Sequence, residues 1–354
     1  MIKVLIVDDS SVMRNLLTAL LSNEPDIQVV ATAPDPYVAR EKLVEFSPDV
    51  MTLDIEMPKM DGISFLEKVM KHFPTRTIII SSLSTHGSAE ALRAFELGAV
   101  DVIAKPTSDI SNSLHRMRRE ILSRVRTAAK AKIQIRNTEQ SIPVATHQSR
   151  IIASKSPEQI ASAVSQKVVA IASSTGGIEA LTTLLSSLPN EIPPILVVQH
   201  MPPVFTKILA EKLNKILPFE VIEAKHGDPI IPGRVVLAPG DYHMEVSKKN
   251  LSFEINLHQS PPLHNVRPAA DYLMKSVAKN MGSQAIGVVL TGMGRDGARG
   301  LSDMKAAGSY NIAQNEETCV VFGMPKVAIA LGGVHKILPI EEIGPEIISY
   351  CLSK

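Results

Sequence analysis

Short aliphatic runs separated by amphipathic stretches occur in two series along this chain, and that alternation constrains its fold more than any other feature. From Ile2 to about Arg126 the runs IKVLIV, IQVVATA, DVMTLDI, RTIIISS and VDVIAKP have the length of buried strands. Between the first two, SSVMRNLLTALLS sets Val12, Met13, Leu16, Leu17 and Leu20 on one helical face. After Gln166 the pattern resumes. VVAIA, PILVVQH, GRVVLAP and AIGVVLTG read as strands, and GIEALTTLLSSL, FTKILAEKLNKIL and AADYLMKSVAKNM as helices. YHMEVSKKNLSFEI reads as a hairpin turning at Lys249-Asn250. Such β-α alternation predicts doubly wound parallel sheets. The tract between the two series is rich in Lys, Arg, Gln, Ser and Thr and weakly periodic, so it reads as the tail of a basic helix and then a linker, its charges a solvated face. The expected fold class is α/β with two doubly wound parallel-sheet domains, residues 1–126 and 167–354, the second with a β-hairpin, joined by a linker over 127–166.

A length of 354 residues agrees with two cores, and a 45% hydrophobic content with a packed rather than disordered protein. The formal net charge of +1 gives no global attraction to nucleic acid or membrane. Cys319 and Cys351 are the only cysteines, too few for a zinc cluster and in keeping with a reducing compartment. The start, MIKVLIVDDSS, meets acids too early for a signal peptide, and no apolar run approaches the ~20 residues that cross a bilayer. A cytoplasmic protein without membrane insertion is expected.

In the first series, acids stand at strand ends: Asp8 and Asp9 after KVLIV, and Asp54 after VMTL. The C-terminal strand ends of a doubly wound sheet form one crevice, so the three should converge. Clustered carboxylates need a neutralising cation, and oxygen ligands of this kind suit Mg²⁺. Ser81 ends the TIII strand and Lys105 the VDVIA strand. Metal, hydroxyl and ammonium together would orient a phosphoryl group, with Asp54 as the carboxylate that accepts it. Any one of these acids alone reads more simply as a turn or cap residue; their joint placement does not.

These residues, within VDDS, LDIEMPKMDG and AKP, closely resemble a response-regulator receiver domain, a flavodoxin-like fold, over essentially all of residues 1 to 125. The resemblance implies that Asp54 is the phosphoacceptor. It makes Asp8, Asp9, Asp54 and the backbone carbonyl of Glu56 ligands of Mg²⁺, Ser81 the switch hydroxyl with Ser82 adjacent, and Lys105 the phosphate-contacting lysine. A histidine kinase is the implied phosphodonor.

In the second series, VVAIASSTGG ends a strand in hydroxyls and glycines, PILVVQ ends at His200, and AIGVVLTGMG leads to Asp296. A serine, a histidine and an aspartate thus each follow a candidate parallel strand, the arrangement that a nucleophile, a base and an orienting carboxylate require. Gly176 and Gly177 would let backbone N–H groups approach an oxyanion, where one donor is worth ~3 kcal/mol. Each residue also has a plain structural reading; Asp296, for one, would cap the helix DGARGLSDMKAAG. The pattern is not the G-x-S-x-G elbow, and residue spacing leaves Ser173 and Ser174 equally eligible.

Residues 166 to 352 resemble the catalytic domain of the chemotaxis protein-glutamate methylesterases through ASSTGGIEAL, VVQHMPP, LAPGDYHME and VVLTGMGRDGA, and the whole chain has that family's two-domain layout. The resemblance implies a Rossmann-like domain with Ser174, His200 and Asp296 as the catalytic triad and no cofactor. By the same resemblance Thr175 and Met293 would line the pocket, with His243 and Arg267 as weaker pocket candidates. Many relatives have GASTGG here, so Ser173 is an added hydroxyl. Methyl-accepting chemotaxis receptors are the implied substrate, and deamidation of receptor glutamines the implied second reaction. The alternative is a response regulator with a binding output. A DNA-binding output calls for a basic recognition helix, which the second series lacks. A dinucleotide-binding domain calls for G-x-G-x-x-G spacing, which SSTGG lacks.

Overall fold

A computed structural model describes residues 1–81, 85–105, 110–133 and 156–353, and the chain divides into two compact units, Met1–Thr138 and Glu139–Lys354. Ser82, Pro106 and most of the linker tract lie outside the described residues.

In the first unit, strands β1 (Ile2–Val7), β2 (Ile27–Ala33), β3 (Val50–Asp54), β4 (Arg76–Ser81) and β5 (Asp101–Ala104) form one parallel sheet in the order β2-β1-β3-β4-β5. Helices α1 (Ser11–Ser22), α2 (Pro36–Phe46), α3 (Gly62–His72), α4 (Thr85–Glu96) and α5 (Ile110–Ala128) alternate with the strands. Side-chain caps start three of them. Ser10 accepts from the Met13 N–H, Asp35 from Tyr37 and Val38, and Asp61 from Ser64. Every residue of β3 is buried, as a central strand covered on both faces requires. The strand order reverses between β1 and β3, which opens the crevice above Val7 and Asp54.

The second unit holds a seven-stranded sheet in the order β14-β13-β12-β6-β7-β9-β8, all neighbours parallel. Its strands are β6 (Val168–Ser173), β7 (Ile195–Gln199), β8 (Glu220–Glu223), β9 (Arg234–Leu237), β12 (Ala285–Val289), β13 (Tyr310–Gln314) and β14 (Lys336–Leu338). A separate antiparallel hairpin joins β10 (His243–Lys249) to β11 (Ser252–His258). The helices are α6 (Pro157–Ser165), α7 (Gly177–Ser186), α8 (Phe205–Ile216), α9 (Ala270–Met281), α10 (Ala298–Ala306), α11 (Met324–Ala330) and α12 (Ile340–Leu352). From β6 the chain moves to β7 on one side; from β12 it moves to β13 on the other. The crevice therefore opens between β6 and β12.

Three differences from the sequence reading have physical causes. Lys249 pairs with Ser252, so the hairpin turns at Asn250-Leu251, one residue later than read, with Asn250 taking the left-handed φ of 55° that asparagine tolerates. Strand β13, YNIAQ, hides behind its polar residues, yet Asn311 and Gln314 are buried and bonded to neighbouring segments. The Asn311 amide donates to the carbonyls of Leu301 and Gly333, and Gln314 accepts from the Thr291 N–H. Helix α6 lies inside the tract read as linker, started by a reciprocal capping box between Ser156 and Gln159.

Candidate active site

At the crevice of the first unit, Asp8 and Asp54 are buried and Asp9 is exposed, with one oxygen of each within 4.8 Å of the others. Lys105 follows β5 and reaches back, its Nζ 2.6 Å from Asp54 Oδ2 and 3.6 Å from Asp8 Oδ2. The Lys105 N–H donates to the Ser81 carbonyl at 2.7 Å, which ties the lysine to the end of β4, where Ser81 is buried. The Glu56 N–H donates to Asp54 Oδ1 at 3.2 Å. A Cβ on Gly62 would lie 2.1 Å from the Asp54 carbonyl oxygen, so only glycine fits beneath this loop. Burial, with Asp8 alongside and against the pull of Lys105, pushes the Asp54 carboxyl up to about 6. Burial likewise raises Asp8, whose Oδ2 has no hydrogen-bond partner. An all-oxygen set with an orphaned buried carboxylate oxygen fits a hard divalent cation.

In the second unit, the β6–β7 register pairs Ser173 with Gln199, so the next residues, Ser174 and His200, leave the sheet side by side. The His200 N–H donates to the Ser173 carbonyl at 3.1 Å, and the Ser174 N–H to the Thr291 carbonyl, beyond β12, at 3.0 Å. A Cβ on Gly292 would stand 2.7 Å from Ser174 Cβ, so the loop after β12 passes directly against that serine. The two serines differ sharply. Ser173 is fully buried and its hydroxyl donates to Gln199 Oε1 at 2.6 Å, whereas Ser174 is half-buried. Gly176 takes φ 77° at the start of α7 and turns the chain away from the mouth.

His200 Nε2 lies 2.7 Å from Asp296 Oδ2. Asp296 does not cap its own helix, α10, whose N-cap residue is Gly297. It caps α9 instead: the Ala270 N–H donates to its Oδ2 at 2.6 Å and the Asp271 N–H to its Oδ1 at 3.0 Å. Burial works to raise the Asp296 carboxyl, but the His200 hydrogen bond and the two backbone donors outweigh it and hold the group below the usual carboxylate range. The arrangement is an anion at a helix N-terminus with one imidazole as its side-chain partner. Among the predicted trio, a direct hydrogen bond joins His200 to Asp296, while strand register alone brings Ser174 beside His200.

The remaining sequence candidates divide by role. Thr175 is buried, its carbonyl accepting from Thr291 Oγ1 at 3.0 Å, and Met293 is exposed on the loop after β12. His243 is fully buried; its Nδ1 accepts from the Ala269 N–H at 3.1 Å and its Nε2 donates to the Pro261 carbonyl at 3.3 Å, while burial lowers its pKa. It therefore completes the capping of α9 as a neutral imidazole. The Arg267 guanidinium is engaged by Asp241 and by the carbonyls of Gln259 and Ser260, a clamp on that loop. Val204, four residues after His200, holds φ 74° and ψ −44°, a costly conformation for a β-branched residue. Sequence reasoning missed Gln199, Asp271 and His264, whose contacts cross between elements remote in sequence.

Residues 169–347 match the family model described as CheB methylesterase, and residues 4–116 match that of the response regulator receiver domain. The chain is 56% identical over 347 residues to the protein-glutamate methylesterase/protein-glutamine glutaminase of Bdellovibrio bacteriovorus, an alignment covering 98% of this chain and 96% of that protein. It is 43% identical over 348 residues to the protein of the same name from Salmonella typhimurium, covering 98% and 96%. The crystal structure of the Thermotoga maritima CheB methylesterase catalytic domain is similar at 43% identity with a TM-score of 0.51, covering 52% of this chain and 98% of that one. Among the described residues no helix is long and apolar enough to cross a membrane.

Proposed function

Because the chain belongs to the CheB methylesterase family and carries a response regulator receiver domain, we propose that it hydrolyses γ-glutamyl methyl esters on methyl-accepting chemotaxis receptors in the cytoplasm, under control of phosphorylation at Asp54. The observation that carries this reading is the 2.7 Å contact between His200 Nε2 and an Asp296 already anchored by two helix N–H groups, at the strand end beside Ser174. With Nε2 held by Asp296, the other ring nitrogen, Nδ1, is left for the serine. His200 takes the Ser174 proton as Oγ attacks the ester carbonyl, and Asp296 stabilises the imidazolium. Collapse of the tetrahedral adduct expels methoxide, which takes the proton from His200 and leaves as methanol. Water, deprotonated by His200, then releases the glutamate and restores Ser174. A receptor glutamine would pass through the same acyl-enzyme with ammonia as leaving group.

We assign the receiver to residues 1–126, the linker to 127–166 and the catalytic domain to 167–354, with α6 preceding it in the same compact unit. In the receiver, Asp54 attacks the phosphoryl group of a histidine kinase or small phosphodonor, Lys105 orients the transferred oxygens, and the Ser81 hydroxyl serves as the switch. Asp8, Asp9, Asp54 and the Glu56 carbonyl would hold Mg²⁺, which when bound neutralises the carboxylates and draws in the phosphoryl oxygens. The hydrolysis itself is assigned to the protein's own groups and water, with no cofactor.

Measuring methanol release from membranes bearing methylated receptors, with and without a small phosphodonor, tests the assignment. Release that rises with the phosphodonor is expected, and no release under either condition overturns the reading. The carboxylate pocket makes a second prediction. An unfolded aspartate titrates near 3.9, whereas folded Asp54 titrates at about 6. Below both values Asp54 contributes nothing. As pH rises between them the folded receiver keeps its proton and loses stability, and above 6 the full penalty, at most ~3 kcal/mol, is present. Mg²⁺ should therefore raise the receiver's melting temperature clearly at pH 7.5 and much less at pH 5. A shift independent of pH would count against the site.

A further inference from the structure

The Asp296 loop runs through Gly292, Gly294 and Gly297, the last two with positive φ, which leaves few side chains of its own to brace the carboxylate. Two contacts on either side of Asp296 converge on one side chain. Upstream, Arg295 Nε donates to His264 Nδ1 at 3.5 Å, which leaves His264 Nε2 to donate to Asp271 Oδ2 at 2.8 Å. Downstream, the Gly300 N–H, in the first turn of α10, donates to Asp271 Oδ1 at 2.7 Å. The Asp271 N–H meanwhile donates to Asp296 Oδ1. Helices α9 and α10 thus cap one another: Asp296 from the loop before α10 caps α9, and Asp271 from the first turn of α9 caps α10. Close packing holds the exchange in place, since a Cβ on Gly300 would lie 2.5 Å from Met274 Cβ.

We infer that Asp271, with His264, is the positioning pair that holds Asp296 in register with His200. This rests on the Ser174–His200–Asp296 reading above and deepens it. Neither residue touches the reacting atoms. Asp271 acts through both flanks of the Asp296 loop, and His264 completes the upstream one. Because Asp296 must meet the imidazole at hydrogen-bond distance, a displacement near 1 Å lowers turnover on the order of 10²-fold without altering how the receptor docks. Such a loss belongs in kcat and not in KM.

The test uses the full chain with phosphodonor on methylated receptor membranes, comparing wild type with Ser174→Ala, Asp271→Ala, Asp271→Asn and His264→Gln. Asp271→Ala is expected to lower kcat about 10- to 100-fold with KM unchanged. Asp271→Asn keeps an acceptor for the Gly300 N–H and should recover part of that loss. His264→Gln, which leaves the Gly300 cap intact, should lower kcat by less than Asp271→Ala while leaving the melting temperature in place. The downfield proton resonance of the imidazole N–H shared with Asp296 should shift or broaden in Asp271→Ala and His264→Gln without any substrate. If Asp271→Ala fails to fold, His264→Gln and its resonance decide. Wild-type kcat and an unmoved resonance in His264→Gln and in any folded Asp271 variant would overturn the inference. Wild-type release from Ser174→Ala would instead overturn the triad reading beneath it, so the two failures are distinguishable.

Discussion

Replacing Ser174 with alanine will reduce methanol release to background, a fall on the order of 10⁶-fold in kcat, as when the nucleophile of a Ser-His-Asp unit is removed. Ser173→Ala will leave turnover within a few fold of wild type. The adjacent hydroxyls have different employment. Ser173 is the last residue of β6, fully buried, and donates to Gln199 Oε1, whereas Ser174 lies one step beyond the sheet and is half-buried at the crevice. The cost of Ser173→Ala falls on stability, because it strands a buried amide oxygen, a loss of about 1–3 kcal/mol. Parallel measurements of methanol release and urea midpoint on the two variants separate these effects. Retained release in Ser174→Ala with loss in Ser173→Ala would move the nucleophile by one residue.

The second large effect is expected at Asp296. Asp296→Asn should lower kcat by about 10⁴-fold, because an amide at this place no longer selects the imidazole tautomer that accepts the serine proton. Here the substitution also strikes the fold. The carboxylate receives three donors, from His200 Nε2, Ala270 N–H and Asp271 N–H, so an asparagine NH₂ must confront one of them. The pH dependence follows from the sign of the shift. Folded Asp296 titrates below the unfolded group, so its stabilisation is fully present above the unfolded value near 3.9 and is lost as pH falls through the lower, folded one. Wild type should therefore be more stable than Asp296→Asn at neutral pH, and the gap should narrow in acid. Urea midpoints of both proteins measured down to pH 3 check this; a gap that widened in acid would refute it.

Strand ends were legible from the sequence because aliphatic runs stop abruptly at polar residues: Asp54, Ser81, Lys105 and His200 each stand where a buried run stops. Strand periodicity gave no help with Ser173 and Ser174. A strand covered on both faces has no alternating pattern, and every residue of β6 is buried. The partners of Asp296 were illegible for another reason. Its sequence neighbourhood, GMGRDGA, resembles the start of a helix, yet the helix it caps begins at Ala270 in a different segment. A cap borrowed from afar has no local signature. The same holds for Asp271, His264 and Gln199, ordinary polar residues until the helices and strands around them pack. Strand β13 was missed because buried Asn311 and Gln314 look like surface residues when the groups they bond lie outside the strand.

The place of β12 beside β6 bears on when the chain becomes an enzyme. Thr291 bonds to the carbonyl of Thr175 across 116 residues, and the sheet joins strands in an order far from their order of synthesis. A polypeptide leaving the ribosome exposes Ser174 and His200 well before β12, the strand that leads to Asp296, emerges. Contacts of such long range form late and slowly. Chains that have not yet paired β12 with β6 should thus be hydrolytically silent.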